Sequence, residues 1–192
     1  MDRALAAARR AVSLASSSQL AHAALASAFF FLRDLGAFRV AAERALALNS
    51  MEGYITAFLG MHFAYAGDWE HGCALSERST QLNPHHPGWY WSAMVFNAYR
   101  QRDSQRALEL ALRINMPDLW TAQLALTVIY SQLGEMERAR VALAGLLALR
   151  PDFAAIARTE LDKWWLPDMV EQMLSDLRKA GLEIDQNIVK LM

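Results

Sequence analysis

The stretch that decides the fold is LGMHFAYAGDWEHG, residues 59–72, because the chain repeats its pattern as LTVIYSQLGEMERA, residues 126–139. Gly67 and Gly134 hold the same place in the two copies and stand 67 residues apart. A proline follows each copy at the same distance, Pro84 after the first and Pro151 after the second. Because 67 is close to two periods of about 34 residues, the pattern predicts a repeat of that length.

The register extends in both directions from these copies. Going back from Pro84, the matching helix ends fall near Ser50 and Ser16. Going forward, a degenerate copy slips by one residue near 85–88 and ends early at Pro117. The predicted repeats are therefore 17–50, 51–84, 85–117 and 118–151. An unpaired second helix at 1–16 precedes them, and a capping helix pair at 152–183 and a tail at 184–192 follow.

Each repeat is predicted to be a pair of antiparallel helices that bury their apolar faces by stacking on neighbouring pairs. Gly67 and Gly134 are expected to form the tight turn inside a pair, because glycine tolerates a positive φ. No strand is predicted. The predicted fold class is thus all-α: a right-handed superhelical solenoid of antiparallel helix pairs in a single domain, 1–183. Small residues are expected where helix axes cross closely, at Ala42, Gly60, Gly72, Ala107 and Ala139.

Helix pairs at this period are typical of the tetratricopeptide repeat, and the chain resembles that family. More specifically, approximately 50–183 resembles the C-terminal tetratricopeptide regions of bacterial multidomain signalling proteins. The resemblance implies fusion behind a class III adenylate or guanylate cyclase domain, or sometimes a winged-helix regulator or a protein kinase. Nothing of a cyclase, kinase or winged helix is present in these 192 residues. The resemblance rests on 87–91, 106–109, 114–117, 130–134, 149–153, 164–168 and 177–182.

Composition excludes several classes of function. The formal net charge is −1, and basic residues form no stripe, so a nucleic-acid partner is not predicted. No run approaches the roughly 20 apolar residues of a membrane span. The single cysteine, Cys73, rules out an internal disulfide and is compatible with a reducing cytoplasm. Cys73 is expected to be a small packing residue.

Catalytic and metal-binding patterns are not predicted either. His85 and His86 are adjacent in an interhelix loop, which does not give the i, i+4 geometry of a helical metal site. His62 and His71 could approach across one helical hairpin, but no carboxylate or cysteine completes a ligand set there. Phosphate-binding glycine loops and Gly-x-Ser-x-Gly elbows are missing from the sequence. The chain is therefore predicted to be non-enzymatic, with no metal and no cofactor.

The amino terminus allows more than one interpretation. The sequence at 26–28 imitates an export cleavage site, but the repeat register already accounts for Ala4, Ala8 and Phe29, so the cytoplasm is expected. In that register the chain begins inside a repeat. This predicts that it is the C-terminal part of something longer, because an unpaired helix would leave its apolar face open. The alternative is a stand-alone protein whose first helix docks on another subunit.

The predicted function is binding of a peptide or helix in a concave groove lined by first helices. The groove would be aromatic and apolar, and replacing Tyr65 and Phe96 together by alanine is expected to abolish partner capture. In one alternative, about half of these side chains pack between adjacent first helices. In another, the chain self-associates through the N-terminal helix face or the C-terminal tail. The candidate groove residues are Phe30, Tyr54, Met61, Tyr65, Trp89, Phe96, Tyr99, Arg100, Val128 and Gln132.

Overall fold

The computed structural model describes residues 2–184, and in this part of the chain every regular element is a helix. Of the predicted tail, only Ile184 lies within the described residues. There are eleven α-helices and a short 3₁₀ helix at Gly88–Trp91 in the described part. The α-helices are α1 (Asp2–Leu14), α2 (Gln19–Phe31), α3 (Leu35–Leu48), α4 (Gly53–Tyr65), α5 (Trp69–Leu82), α6 (Ser92–Arg100), α7 (Ser104–Ile114), α8 (Trp120–Leu133), α9 (Met136–Leu149), α10 (Phe153–Trp164) and α11 (Pro167–Lys179).

The chain forms two compact units that divide between Ala93 and Met94. In the first unit α2 packs against α3 and α4 against α5, and α1 lies against α2. In the second unit α8 packs against α9 and α7 against α8. The division falls inside the predicted repeat 85–117. The single domain at 1–183 and the repeat boundaries remain predictions.

Four turns within the predicted helix pairs each contain a residue in the left-handed backbone conformation. Gly67 and Gly134 have φ of 99° and 78°, which confirms the left-handed turn predicted for both. Arg33 and Arg102 take φ of 60° and 64° in the corresponding turns, where the sequence holds no glycine. The left-handed residue ends one helix so that the chain can reverse within a few residues. The N-cap of the helix that follows is in each case an acid: Asp34, Asp68, Asp103 and Glu135.

The backbones of α4 and α5 approach each other closely at two glycines. A Cβ added at Gly72 would lie 2.4 Å from both the amide nitrogen of Ala64 and the carbonyl oxygen of Gly60. In the opposite direction, a Cβ at Gly60 would lie 2.9 Å from the carbonyl oxygen of Gly72. The prediction that these small residues mark a close helix crossing is confirmed. Ala42, Ala107 and Ala139 are fully buried, as their predicted places at crossings require.

Aromatic side chains from three helices form the core of the first unit. The ring of Phe30 on α2 lies 5.8 Å from that of Phe38 on α3 and 4.4 Å from that of His62 on α4. Phe38 in turn lies 4.9 Å from Phe63. Phe30 and Phe38 are fully buried, and Phe63 is nearly so. These rings therefore join two predicted repeats by direct contact.

The end of the second unit is built from α10 and α11. Most of their apolar side chains recur at helical spacing and are buried, whereas Ile156 is half-buried. Gly181 has φ of 105° just after α11, the left-handed conformation in which glycine commonly ends a helix. The helix α11 lies against α8, and more extensively than against α10. The buried periodic residues are Phe153, Ala157, Leu161, Val170, Met173, Leu174 and Leu177.

Candidate functional site

The ten predicted groove residues separate into buried and accessible side chains. Only Tyr54 is largely exposed, at 52%. Five belong to the core and cannot reach a ligand in this structure. Met61, Trp89, Arg100 and Gln132 are half-buried. The five buried residues are Phe30, Tyr65, Phe96, Tyr99 and Val128.

Because Tyr65 and Phe96 are both buried, replacing them together by alanine does not test partner capture by the groove. Truncating a buried aromatic side chain to alanine costs about 3–5 kcal/mol of stability. A double variant would therefore lose binding through unfolding, whatever the role of the groove. Burial also raises the pKa of the Tyr65 phenol well above its ordinary value, with a smaller contribution from the nearby Cys73. Informative substitutions must be at the accessible positions instead.

Three accessible aromatic residues of the first unit form a cluster, the Tyr54 cluster, consisting of Tyr54, Phe58 and Trp89. The ring of Tyr54 lies 5.4 Å from that of Trp89 in an edge-to-face arrangement, and it is parallel to that of Phe58 at 6.4 Å. Phe58 and Trp89 are half-buried. Sequence analysis missed Phe58, although it stands one helical turn after Tyr54 on α4. That spacing is the signal that could have identified it.

The local sequence explains how the Tyr54 cluster is held. Glu52 is the N-cap of α4, and its carboxylate accepts hydrogen bonds from the amides of Tyr54 and Ile55. This fixes the first turn of α4, from which Tyr54 and Phe58 project. Trp89 lies on the 3₁₀ helix after Pro87, and its ring also contacts that of Tyr90 at 4.6 Å. Two separate elements thus bring the three rings together.

Behind the cluster, His62 links the accessible surface to the core of the first unit. Its ring lies 4.4 Å from Phe58, and its Nδ1 donates a 2.7 Å hydrogen bond to the carbonyl oxygen of Phe58. Burial lowers the pKa of His62 to about 4, although this hydrogen bond acts in the opposite direction. The imidazole is therefore neutral near pH 7. His71, considered with His62 as a metal pair, stacks instead on Phe63 at 4.5 Å.

In the second unit, α11 covers the face on which several groove residues were predicted. The hydroxyl of Tyr99 donates a 2.7 Å hydrogen bond to Oδ2 of Asp176, and Nε2 of Gln132 donates to the same oxygen at 3.1 Å. The hydroxyl of Ser131 donates to the carbonyl oxygen of Asp176 at 2.8 Å. The side chain of Gln172 donates to the carbonyl oxygen of Tyr99 at 3.1 Å. This face of α6 and α8 is therefore occupied by the chain itself.

Asp176 is the electrostatic centre of this contact. Its side chain is only 1% exposed, yet Nζ of Lys179 lies 2.7 Å from Oδ1, and a guanidinium nitrogen of Arg102 lies 3.8 Å from Oδ2. Burial, and then the neighbouring charge of Asp176, raise the pKa of the Tyr99 phenol far above its ordinary value. The phenol consequently remains a hydrogen-bond donor at any physiological pH. Sequence analysis did not place Asp176 in the site.

Two further features of residues 2–184 bear on the predicted chemistry. Among these residues, no group of three or more histidine, cysteine, aspartate or glutamate side chains could hold a metal ion together. No helix in the same range is long and apolar enough to cross a bilayer.

The first unit also has a shallow apolar cleft of about 470 Å³ between α1 and α2, lined by alanines of both helices together with Ser27 and Phe31 of α2.

Comparison with known proteins establishes the fold. No protein-family model and no curated protein matches the chain. Among solved structures it is similar to YrrB, described as a TPR protein with an unusual peptide-binding site, with a TM-score of 0.56 and 15% identity over 91% of this chain and 90% of YrrB. It is also similar to a structure described as MamA MSR-1 C2, with a TM-score of 0.53 and 17% identity over 84% of this chain and 94% of the other. At such identities the likeness shows the fold alone, and the fold of this chain is the all-α tetratricopeptide-repeat fold.

Proposed function

We propose that the chain is a non-enzymatic protein-interaction module whose first unit binds a peptide or a helix through the Tyr54 cluster. The observation that carries this proposal is the exposure of Tyr54 beside two further aromatic rings. Aromatic side chains contribute much of the binding energy at protein interfaces, because each buries a large apolar area. Three of them held in one place by α4 and the 3₁₀ helix form a preformed anchor site.

A further accessible apolar side chain holds the equivalent position on the preceding first helix. Leu20 on α2 stands 34 residues before Tyr54 in the predicted register, and it is 68% exposed. Met61, half-buried on α4, lies one turn beyond Phe58. Because α2 and α4 pack against each other, Leu20 and Met61 can extend the contact along a bound segment. The described peptide-binding site of the TPR protein YrrB supports this type of ligand for the same fold.

The wider role that we propose is regulation within a larger bacterial signalling protein. It rests on the resemblance of approximately 50–183 to the C-terminal tetratricopeptide regions of such proteins. In this role the module would report occupancy of its binding surface to an effector domain elsewhere in the parent protein, in the cytoplasm. The module itself needs no cofactor.

A peptide-display selection on the immobilised full chain tests the binding proposal. We expect random 15-residue peptides rich in apolar side chains to be enriched, and their affinity to fall about tenfold or more in Trp89→Ala and in Tyr54→Ala, as for an interface anchor. Val141→Ala is the matched control, because Val141 is 75% exposed but lies in the second unit. Failure to enrich any peptide, or equal affinity for all three variants, would contradict the proposal.

Self-association is the second candidate function, and the apolar cleft between α1 and α2 favours it. A second copy could bury the exposed alanines there. Light scattering from 1 to 100 µM protein separates the two functions. A dimer that dissociates in Ala7→Glu, a change on the α1 side of the cleft, supports self-association. A strictly monomeric particle over this range excludes it and leaves the peptide-binding function.

A further inference from the structure

The helix α11 has the pattern of a helical ligand bound in a groove. Its apolar side chains recur at intervals of three and four residues and are buried, whereas Glu171, Ser175 and Arg178 on the other face are exposed. A two-residue extended link, Trp165 and Leu166, joins it to α10, and Pro167 begins it. Its buried face consists of Met169, Val170, Met173, Leu174, Asp176 and Leu177.

The surface beneath α11 is the one for which the repeat register predicts a binding groove. Tyr99 on α6 and Gln132 on α8 are both predicted groove residues, and both donate hydrogen bonds to Asp176. Val128, one turn before Gln132 on the same face of α8, is fully buried. In the second unit, the face predicted to line a groove is therefore covered by a helix of the same chain.

The polar part of this contact selects for an acidic helix. Burying the carboxylate of Asp176 carries a desolvation cost that is offset only when its hydrogen-bond donors and nearby cations are all in place. A helix with an apolar residue at this position would leave the buried hydroxyl of Tyr99 without its acceptor, which is unfavourable, and would remove one hydrogen bond of Gln132. A carboxylate on the bound face also regains its hydration when the helix leaves. The contact is thus more specific, and more easily released, than a purely apolar one of equal area.

We propose that the face formed by α6 and α8 is a helix-binding site, and that α11 occupies it as a displaceable internal ligand. Its external partner is an amphipathic helix with apolar residues spaced as in α11 and an aspartate in the position of Asp176, followed by leucine. Because α11 is tethered beside the site, it competes at a high effective concentration, and the partner must displace it. The site is separate from the Tyr54 cluster and does not depend on the function proposed for that cluster.

Binding of a synthetic α11 peptide to the full chain tests this proposal. The probe is fluorescein-labelled LPDMVEQMLSDLRKAGL, residues 166–182, followed by fluorescence anisotropy. We expect the Asp176→Ala chain to bind this peptide about tenfold more tightly than the wild-type chain, because its own α11 has lost hydrogen bonds of the charge-assisted kind. The same chain should bind a peptide carrying Asp176→Ala about tenfold more weakly than the wild-type peptide. The Ser175→Ala chain, changed on the exposed face of α11, should behave as wild type.

Two outcomes would overturn the proposal. One is a folded Asp176→Ala chain that does not bind the peptide, and the other is equal binding of the two peptides. If Asp176→Ala loses helicity, the Tyr99→Phe variant is used in its place, because it removes only one hydroxyl donor. Amide hydrogen exchange in the full-length Tyr99→Phe chain should then be faster than in wild type in α11 and unchanged in α9. Exchange in α11 equal to that of wild type would contradict the proposal. Trp89→Ala separates the two sites, since it should weaken display-selected peptides but not the α11 peptide.

Discussion

Gly72→Ala is expected to destabilise the first unit by about 3 kcal/mol or more, a large effect for the addition of one methyl group. The new Cβ would lie 2.4 Å from the backbone of two residues of α4, Ala64 and Gly60. Backbone atoms cannot rotate away as a flexible side chain can, so α4 and α5 would have to separate. Separation would also disturb the rings of Phe63 and His62, which α4 brings into the aromatic core.

Urea unfolding of the full chain, followed by circular dichroism, measures this loss. Gly36→Ala is the matched control in the same unit. Gly36 lies in α3, and the nearest atom to an added Cβ would be Oδ1 of Asp34 at 3.8 Å. Alanine should stabilise that helix by about 0.5–1 kcal/mol, because glycine is the poorer helix former. Equal stabilities for Gly72→Ala and wild type would show that the helices can separate without cost, contrary to the close packing described above.

The repeat was predictable because its signals are local. Gly67 and Gly134 indicate turns because glycine adopts a positive φ without a steric cost. The repeat spacing then predicts the positions of the other turns. Arg33 and Arg102 carry no such signal. They take the same left-handed conformation because the packing of the flanking helices imposes it, at a cost that the rest of the unit offsets. The register thus locates a turn even where the residue type does not.

The candidate site was only partly predictable, because a register specifies the side of a helix and not what covers that side. Tyr54 and Tyr99 both fall on predicted groove faces. Tyr54 is exposed, whereas Tyr99 is buried under α11. Coverage of Tyr99 depends on a contact with Asp176, which lies 77 residues away in sequence. The apolar spacing of α11 predicts a helix with one buried face, but it does not say which neighbour that face meets.

His62 should make the first unit sensitive to acid. Its pKa is lowered to about 4 in the folded chain by burial, compared with about 6.5 in an unfolded chain. The unfolded state therefore binds a proton more readily, and acid favours unfolding. The stabilising contribution of the neutral imidazole is fully present above pH 6.5 and is lost as the pH falls from 6.5 towards 4. By linkage, this residue alone should remove about 2 kcal/mol between pH 7.5 and pH 4.5.

The pH dependence of His62→Leu, compared with that of wild type, isolates this contribution, since other titrating groups are common to both proteins. We expect the free energy of unfolding, measured in urea at pH 7.5 and pH 4.5, to fall by about 2 kcal/mol less in His62→Leu than in wild type. Whatever stability the substitution itself removes cancels in this difference. His85→Gln, changed at an exposed histidine of the same unit, should keep the wild-type difference. The opposite result is that His62→Leu and wild type lose the same free energy of unfolding between the two pH values. In that case the imidazole takes up its proton without unfolding. The burial of the His62 ring against Phe30 and Phe58 is then not the cause of acid sensitivity in this unit.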